Sequence, residues 1–354
     1  MTNGRLRDGL LNRGVLAALA AAALFGLGTP LAKQLVSDVN PWLLAGLLYA
    51  GSGIGLTAAR LFRPAARVHL TPPDRWYLAG AIASGGVAAP ALLMTALVSM
   101  PAAGASLLLN AEGVFTALLA WFVFRENVDR RVALGMLTIV AGVVVLSWNS
   151  HANLQGVRPS LLVLAACLAW AVDNNFTRKL SLHDATWLAS VKGLAAGATN
   201  LLIATAAGAA WPSIGATSAA LVIGSFAYGV SLVLFVVGLR HLGAARTTAY
   251  FSTAPFVGAL VSFIWLGEPI TIQVALAGAL MGVGVWLHLT ERHEHAHLHA
   301  AIEHSHEHEH DEHHDHAHSP ETPAAARHTH RHRHEPQTHS HAHFPDAHHQ
   351  HEHK

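Results

Sequence analysis

The amino-acid sequence predicts an all-α membrane protein with ten transmembrane helices, arranged as two inverted five-helix repeats and followed by a disordered His-rich tail. Three observations predict this fold class. Hydrophobic residues make up 52% of the 354 residues and charged residues 12%, about half the charged share of an ordinary soluble domain. Apolar segments of membrane-spanning length follow one another with short connections. The first half of the chain also matches the second half in sequence.

Each apolar segment is long enough to cross a bilayer, which takes roughly 20 residues. The first five segments lie at 14–36, 41–61, 76–99, 102–124 and 131–148, and the second five at 158–178, 184–208, 213–238, 244–266 and 271–289. The basic start of the chain precedes an apolar stretch without a small-residue cleavage site, so we interpret that stretch as a retained helix. The predicted domains are a cytoplasmic N-terminus at 1–13, five-helix repeats at 14–148 and 158–289, and the tail at 291–354.

Lys and Arg residues are distributed unevenly between the two sides of the predicted bundle. If the N-terminus is inside, the outer connections carry only Lys33 and Arg158, both at helix edges. The inner side then carries Arg5, Arg7, Arg13, Arg60, Arg63, Arg67, Arg75, Arg125, Arg130, Arg131, Arg178, Lys179, Arg240, Arg246 and Arg292. Short cytoplasmic loops carry the excess of Lys and Arg. We therefore predict a multi-pass protein of the cytoplasmic (inner) membrane with both termini in the cytoplasm.

The internal match runs without a gap from Leu97 over Leu239 to Gly142 over Gly284. At a slightly different shift, LFGLGTPLAKQL at 24–35 lies over AWAVDNNFTRKL at 169–180. A repeat unit with an odd number of helices must be inverted in the membrane relative to the next unit. Inverted repeats of this kind are common among secondary transporters.

The end of the membrane region carries a recognisable motif. The segment TAPFVGALVSFIWLGEPITIQVALAGALMGVGVWL at 253–287 contains Ala-Pro and Leu-Gly-Glu-Pro elements, and a weaker copy lies at 110–136. In these elements the sequence resembles the EamA-type permeases of the drug/metabolite transporter superfamily. The resemblance covers residues 14–289 and implies a ten-helix permease with a substrate route between its halves. It implies no particular substrate, and the family pattern does not account for the His-rich tail.

Three ionisable residues fall inside the predicted spans: Glu112, Asp173 and Lys192. A charge at bilayer depth is costly unless it is paired or hydrated, so each one is a functional candidate. Glu112 lies about 20 Å from the cytoplasmic end of its predicted helix and has no partner close in sequence. Asp173 and Lys192 lie on neighbouring antiparallel helices, where they can either lock the helices together or take part in transport. The predicted substrate or coupling-ion path consists of Asn110, Glu112, Asp173, Asn174, Asn175 and Lys192.

The polar tail holds most of the chain's 28 histidines, interleaved with Glu, Asp and Ala. This composition cannot bury an apolar core, so we expect disorder. Neutral imidazole is a ligand for zinc, nickel, cobalt and copper, so we predict a divalent metal on the tail, whereas the protein requires no cofactor. The alternative is a solvated tail without a ligand. The predicted metal ligands are His293, His295, His297, His299, His304, His306, His308, His310, His313, His314, His316, His318, His328, His330, His332, His334, His339, His341 and His343.

The leading functional hypothesis is a permease or exporter of a small solute. In its first specific form, the transported solute is a divalent metal cation, and the tail is linked to its transport. The alternative is a metabolite or drug exporter in which the tail is only a metal sensor or buffer. No nucleophile constellation indicates an enzyme. The expected partners are the lipid bilayer, a small-molecule or ion substrate and divalent metal ions. A homodimer is compatible with these features, and no nucleic acid is expected.

Overall fold

The computed structural model describes residues 13–62, 68, 70–124, 130–148, 154–180 and 183–290 of the membrane region, and 294–299, 303–308, 328–333 and 337–342 of the tail. The predicted N-terminal segment 1–13 lies outside the described residues, apart from Arg13. The chain divides into two compact units, Met1–Glu291 and Arg292–Lys354.

The first unit is built from helices. Its α-helices are α1 Arg13–Leu35, α2 Pro41–Leu61, α3 Pro72–Ala81, α4 Ala89–Leu97, α5 Ala102–Leu108, α6 Ala111–Phe124, α7 Arg130–Ser147, α8 Leu154–Leu180, α9 Ala185–Ala206, α10 Ile214–Ile223, α11 Ser231–Phe251, α12 Ala254–Trp265 and α13 Ile272–Leu289. Two π-helical segments join neighbouring α-helices: π1 Ile82–Ala88 connects α3 to α4, and π2 Gly224–Val230 connects α10 to α11.

Among the described residues, 10 helical spans are long and apolar enough to cross a membrane by length and composition. This confirms the predicted all-α membrane fold with ten transmembrane helices. The third span begins at Pro72, earlier than the predicted residue 76. The reason is local: Thr71 and Asp74 form a capping box, and proline is tolerated in the first turn of a helix.

The two halves interrupt their helices at equivalent places. π1 begins at Ile82 and π2 at Gly224. The number of residues between these two starts equals the offset that places Leu97 over Leu239 in the internal sequence match. The bounds of α7 and α13 differ by that offset as well. The fourth span is broken between α5 and α6, and the ninth span is broken between α11 and α12. Hydropathy predicted the spans but none of these interruptions.

The last helices of the two halves, α7 and α13, pack against each other in antiparallel orientation. Gly135, early in α7, lies against Gly284, late in α13, whereas Gly142 lies against the earlier Met281. α2 and α9 pack antiparallel through small residues in the same way. The missing Cβ atoms let the helix backbones approach closely, as is typical of helix interfaces in membranes.

The helical backbone of α11 reverses direction within its bounds. A Cβ on Gly238 would lie 2.9 Å from Cγ2 of Thr247, whereas a straight helix would hold these two residues about 13 Å apart. The eighth span therefore turns into the ninth between them, close to the boundary that the sequence predicts at 238–244.

One carboxylate ties the second half to the first. Glu268 accepts hydrogen bonds from the backbone N–H groups of Ala102 and Ala103, both at 2.7 Å. It therefore caps the N-terminus of α5, where unpaired N–H groups attract negative charge. Glu126, its counterpart in the internal match, lies outside the described residues.

The described residues of the tail unit form four strands: β1 Glu294–His299, β2 Glu303–His308, β3 His328–Arg333 and β4 Gln337–Ala342. β1 pairs with β4 and β2 with β3, both antiparallel. His-x-His alternation fits the two-residue period of a strand. An isolated two-stranded sheet is marginally stable in water. The other tail residues lie outside the described part of the chain, and for them disorder stays a prediction.

Candidate functional site

A cavity lies inside the first unit, lined by helices from both halves. It measures about 80 Å³ as the space open to the centre of a water-sized sphere. Helices α1, α2, α6, α8, α9 and α11, together with π2, supply its walls. Its polar lining includes Glu112, Asp173, Asn174 and Lys192, which all belong to the predicted substrate or coupling-ion path.

Asp173 and Lys192 form a buried ion pair in this wall. Lys192 Nζ donates to Asp173 Oδ1 at 2.5 Å and to Thr177 Oγ1 at 3.0 Å. The Thr177 hydroxyl in turn donates to Asp173 Oδ1 at 2.8 Å. Asp173 is 7% exposed and Lys192 3%, so each charge depends on the other for its stabilisation. Removing one partner would leave an uncompensated charge in the interior.

Glu112 lies in the first turn of α6, directly after the break that separates α5 from α6. Its Oε1 accepts a hydrogen bond from Asn174 Nδ2 at 2.7 Å, which links the fourth span to the sixth. Within the described residues, no Lys, Arg or His side chain forms an ion pair with Glu112. The carboxylate therefore faces the cavity with an amide donor and no compensating charge.

Gly85 of π1 supports the wall next to Asp173. Its carbonyl oxygen accepts hydrogen bonds from Tyr49 Oη at 2.7 Å and from Trp170 Nε1 at 3.0 Å. A Cβ at position 85 would overlap the carboxylate of Asp173. The glycine thus leaves room for Asp173, and the π-helical turn, a feature frequent at functional sites, supplies an acceptor for two cavity-lining side chains.

Aromatic rings form the apolar part of the cavity wall. Phe25 packs against Trp170, Tyr228 and Phe251, with ring centroids 6.0, 5.8 and 5.3 Å away. Tyr49 packs against Tyr228 at 5.3 Å. The internal sequence match pairs Phe25 with Trp170, so repeat-related positions touch each other at the cavity. Aromatic faces attract cations as well as apolar groups.

A second cavity, of about 30 Å³ on the same scale, shares Phe25, Glu112 and Phe251 with the first. It lies where the broken fourth and ninth spans meet, and Asn110 and Ser252 from the two breaks line it.

The two remaining predicted path residues lie apart from the larger cavity. Asn110 lines the smaller cavity. Asn175 is 5% exposed and donates to the Ala171 carbonyl of its own helix at 2.8 Å. It lines neither cavity, so the structure gives it a place in helix packing.

The described residues contain no group of three or more His, Cys, Asp and Glu side chains that could hold a metal ion. The predicted tail ligands of β1 to β4 are described only as strand backbone. The others, His293, His310, His313, His314, His316, His318, His334 and His343, lie outside the described residues. Metal binding by the tail stays a prediction.

Sequence reasoning missed Thr177 and the aromatic wall. Thr177 follows Asp173 by one helical turn, a spacing that brings side chains together on one helix face, so this residue could have been found. Tyr49 and Tyr228 carry no such signal, because an aromatic residue in an apolar span can equally face lipid.

Comparison with known proteins identifies the family of this chain. The profile of the EamA-like transporter family matches residues 12–148 and 158–290. An uncharacterised transporter of Methanothermobacter thermautotrophicus is 27% identical over 77% of this chain and 85% of its own. A probable amino-acid metabolite efflux pump of Salmonella typhimurium is 32% identical over 50% of this chain and 56% of its own. A probable terminal-alkyne amino-acid exporter of Streptantibioticus cattleyicolor is 29% identical over 58% of this chain and 70% of its own.

A solved crystal structure superimposes on this chain with a TM-score of 0.62 at 21% identity, covering 77% of this chain and 94% of that chain. At this identity the likeness shows a shared fold. The two stretches matched by the family profile together take in nearly all of the membrane region. The chain therefore belongs to the EamA-like transporter family.

Proposed function

We propose that this protein exports a small amino-acid-like metabolite across the cytoplasmic membrane and binds it in the larger cavity. One observation carries the proposal: the cavity brings together a carboxylate that has no charge partner among the described residues, a buried Lys–Asp pair and a wall of aromatic rings. A zwitterion with an apolar side chain complements each of these three features.

The positive end of such a solute fits Glu112. An ammonium group there would donate a charge-assisted hydrogen bond to the carboxylate and make a cation–π contact with the neighbouring rings. The negative end fits Lys192. An ammonium side chain has three donors, and Asp173 and Thr177 accept from two of them, which leaves one for a solute carboxylate.

The size of the cavity fits the same class of solute. A water molecule needs roughly 10–15 Å³ on this volume scale, so a cavity of about 80 Å³ holds on the order of six waters. Each water has one non-hydrogen atom, so the cavity has room for about six non-hydrogen atoms, which is the size of a small amino acid. Two relatives are named as an amino-acid metabolite efflux pump and an amino-acid exporter, and these names support both the solute class and the outward direction.

We also propose that the two halves are inverted repeats that move against each other around the cavity. Antiparallel packing of the equivalent helices α7 and α13, together with π1 and π2 at equivalent positions, supports a two-fold relation in the membrane plane. Binding between such repeats is typical of alternating-access transporters. The bias of Lys and Arg supports cytoplasmic termini in the inner membrane.

The rival hypothesis, a divalent metal permease, has less support from the cavity. Lys192 occupies Asp173, so among the described lining residues Glu112 is the carboxylate left for a metal ion, whereas a divalent ion normally draws on more carboxylates. We propose instead that the tail binds divalent zinc, nickel, cobalt or copper and acts as a sensor or buffer. The protein then needs no resident cofactor for transport.

Counterflow in reconstituted vesicles tests the proposed function. Vesicles containing the full chain are loaded with unlabelled valine, zinc or a cationic drug, and uptake of the same solute in radioactive form is measured from outside. We expect accumulation of valine above that in protein-free vesicles, with no such accumulation of zinc. Accumulation of zinc or the drug without valine would contradict the proposal and favour one of its rivals.

A further inference from the structure

The smaller cavity is rich in oxygen atoms that accept hydrogen bonds. Asn110 is 4% exposed, and its Nδ2 donates to the Leu107 carbonyl at 3.0 Å. Its Oδ1 has no hydrogen-bond partner within the described part of the chain, and neither does Thr116 Oγ1. Ser252 Oγ uses its proton on the Thr248 carbonyl at 2.9 Å, so it meets the cavity as an acceptor. Buried acceptors without donors are costly, which indicates an occupant.

Both helix breaks contribute to this cavity. Asn110 lies at the break of the fourth span and Ser252 at the break of the ninth. Pro255 has no N–H for the carbonyl of Phe251, four residues before it, so the second break also frees a backbone acceptor. Discontinuous helices that meet at the centre of a repeat architecture are where transporters bind coupling ions.

The charge of the lining residues determines which kind of ion can occupy the smaller cavity. Glu112 is the ionisable side chain that lines this cavity, and a buried carboxylate without an opposite charge is strongly unfavourable. A proton or a monovalent metal ion neutralises it, and the buried oxygen atoms of Asn110 and Thr116 beside it favour the metal ion, whereas calcium or magnesium would normally draw on more carboxylates. The cavity of about 30 Å³ has room for two or three water-sized groups. An organic cation is too large for this space.

We propose that the smaller cavity binds sodium through Asn110 Oδ1, the Glu112 carboxylate, Thr116 Oγ1 and Ser252 Oγ, and that sodium is exchanged for the exported solute. Glu112 lines both cavities, so an ammonium group and a sodium ion compete for one carboxylate. Mutually exclusive binding is the requirement for antiport: inward movement of sodium then drives outward movement of the solute. The exchange rests on the proposed export function, whereas sodium binding does not.

Sodium binding is tested on the purified full chain in detergent, with radioactive sodium in a choline buffer. Thr116→Val keeps the side-chain shape but removes the hydroxyl. The matched control is Thr247→Val, because Thr247 also has a buried hydroxyl without a partner but lines neither cavity. We expect saturable binding in the native protein and in Thr247→Val, with at least tenfold weaker binding in Thr116→Val. If Thr116→Val does not fold, Ser252→Ala replaces it in the same binding measurement.

Absence of saturable binding in the native protein would overturn the site, and so would equal binding in the Thr116→Val and Thr247→Val proteins. Exchange is tested by competition: valine should displace bound sodium, and an outside sodium gradient should accelerate valine efflux from vesicles. Valine efflux that is the same in sodium and choline would overturn the exchange and leave export intact. Sodium binding without any valine transport would instead support the site and refute the proposed solute.

Discussion

At the scale of the residue, the charge on Glu112 matters because, among the residues that the structure describes, the Asn174 amide donates to it and no cation pairs with it. Glu112→Gln keeps the side-chain shape and an oxygen that can accept from Asn174, but it removes the charge. We expect normal membrane insertion and valine transport reduced at least tenfold, equivalent to about 1.4 kcal/mol in the barrier. Initial rates in vesicles measure this effect.

The matched control is Glu268→Gln, which removes a carboxylate charge outside both cavities. It should lower thermal stability modestly, because a cap on α5 is weakened, and leave the transport rate near normal. A well-folded Glu112→Gln protein that transports like the native one would refute the role of Glu112.

The Asp173–Lys192 pair allows structural and functional roles to be separated. Lys192→Met alone should destabilise the protein by about 3–5 kcal/mol, because it leaves a buried charge without its partner. Combining Lys192→Met with Asp173→Leu removes both charges and should restore most of the stability, measured by thermal unfolding in detergent. We expect valine transport to stay at least tenfold low in this folded double variant. Recovery of transport would mean that the pair only locks α8 to α9.

The cost of charge in a membrane explains how far the sequence could predict these residues. Apolar spans tolerate few charges, so the sequence identified three charged residues as functional candidates: Glu112, Asp173 and Lys192. The sequence did not separate Asn174, which meets Glu112, from Asn175, which bonds to its own helix. Three consecutive side chains point in different directions around a helix, and only packing decides which one faces the cavity.

At the scale of the element, π1 depends on a glycine. Gly85→Ala should push the added methyl into the Asp173 carboxylate and lower stability by about 1–3 kcal/mol, as overpacking does. Gly104→Ala is the matched control, since a Cβ there meets only Met100 Cε at an ordinary 3.7 Å. Thermal unfolding of the two variants compares them. Equal stability would mean that π1 adjusts its backbone without strain.

Helix number and most helix ends followed from the sequence, whereas the interruptions did not. Apolar length defines a span, and Pro or capping residues define its ends, as at Thr71. Hydropathy cannot distinguish a π-helical turn at residues 82–88 from an α-helical one, because the mean hydropathy of a segment depends on its composition and not on its hydrogen-bond pattern. The break before Glu112 likewise depends on contacts between the fourth and ninth spans, which are far apart in sequence.

At the scale of the whole molecule, orientation rests on the positions of Lys and Arg. A reporter fused after Thr290 should be active only if its activity requires the cytoplasm, because the inner side of the predicted bundle carries nearly all loop cations. Paired cytoplasm-dependent and periplasm-dependent reporters measure this. Activity of the periplasm-dependent fusion would contradict the orientation or the number of spans.

The tail should bind several divalent ions with a steep dependence on pH. Each imidazole must lose its proton to bind metal, and free His titrates near pH 6.5, so affinity should fall as pH drops from about 7 to about 5.5. Calorimetric titration of the full chain with zinc, compared with a chain truncated after Thr290, measures the tail's contribution. Equal heats from both proteins at neutral pH would remove the metal hypothesis. Unchanged valine transport in the truncated protein would identify the tail as a buffer.

Trp170, which donates a hydrogen bond to the Gly85 carbonyl, is an intrinsic fluorescent probe of the larger cavity. Trp170 is 6% exposed and lines the larger cavity, whereas seven of the nine tryptophans are exposed on the surface of the bundle. The emission of an indole depends on the polarity around it and on its hydrogen bonds. We expect occupancy of the cavity to change the emission of Trp170, a change that can be followed in the native chain without a dye or a label.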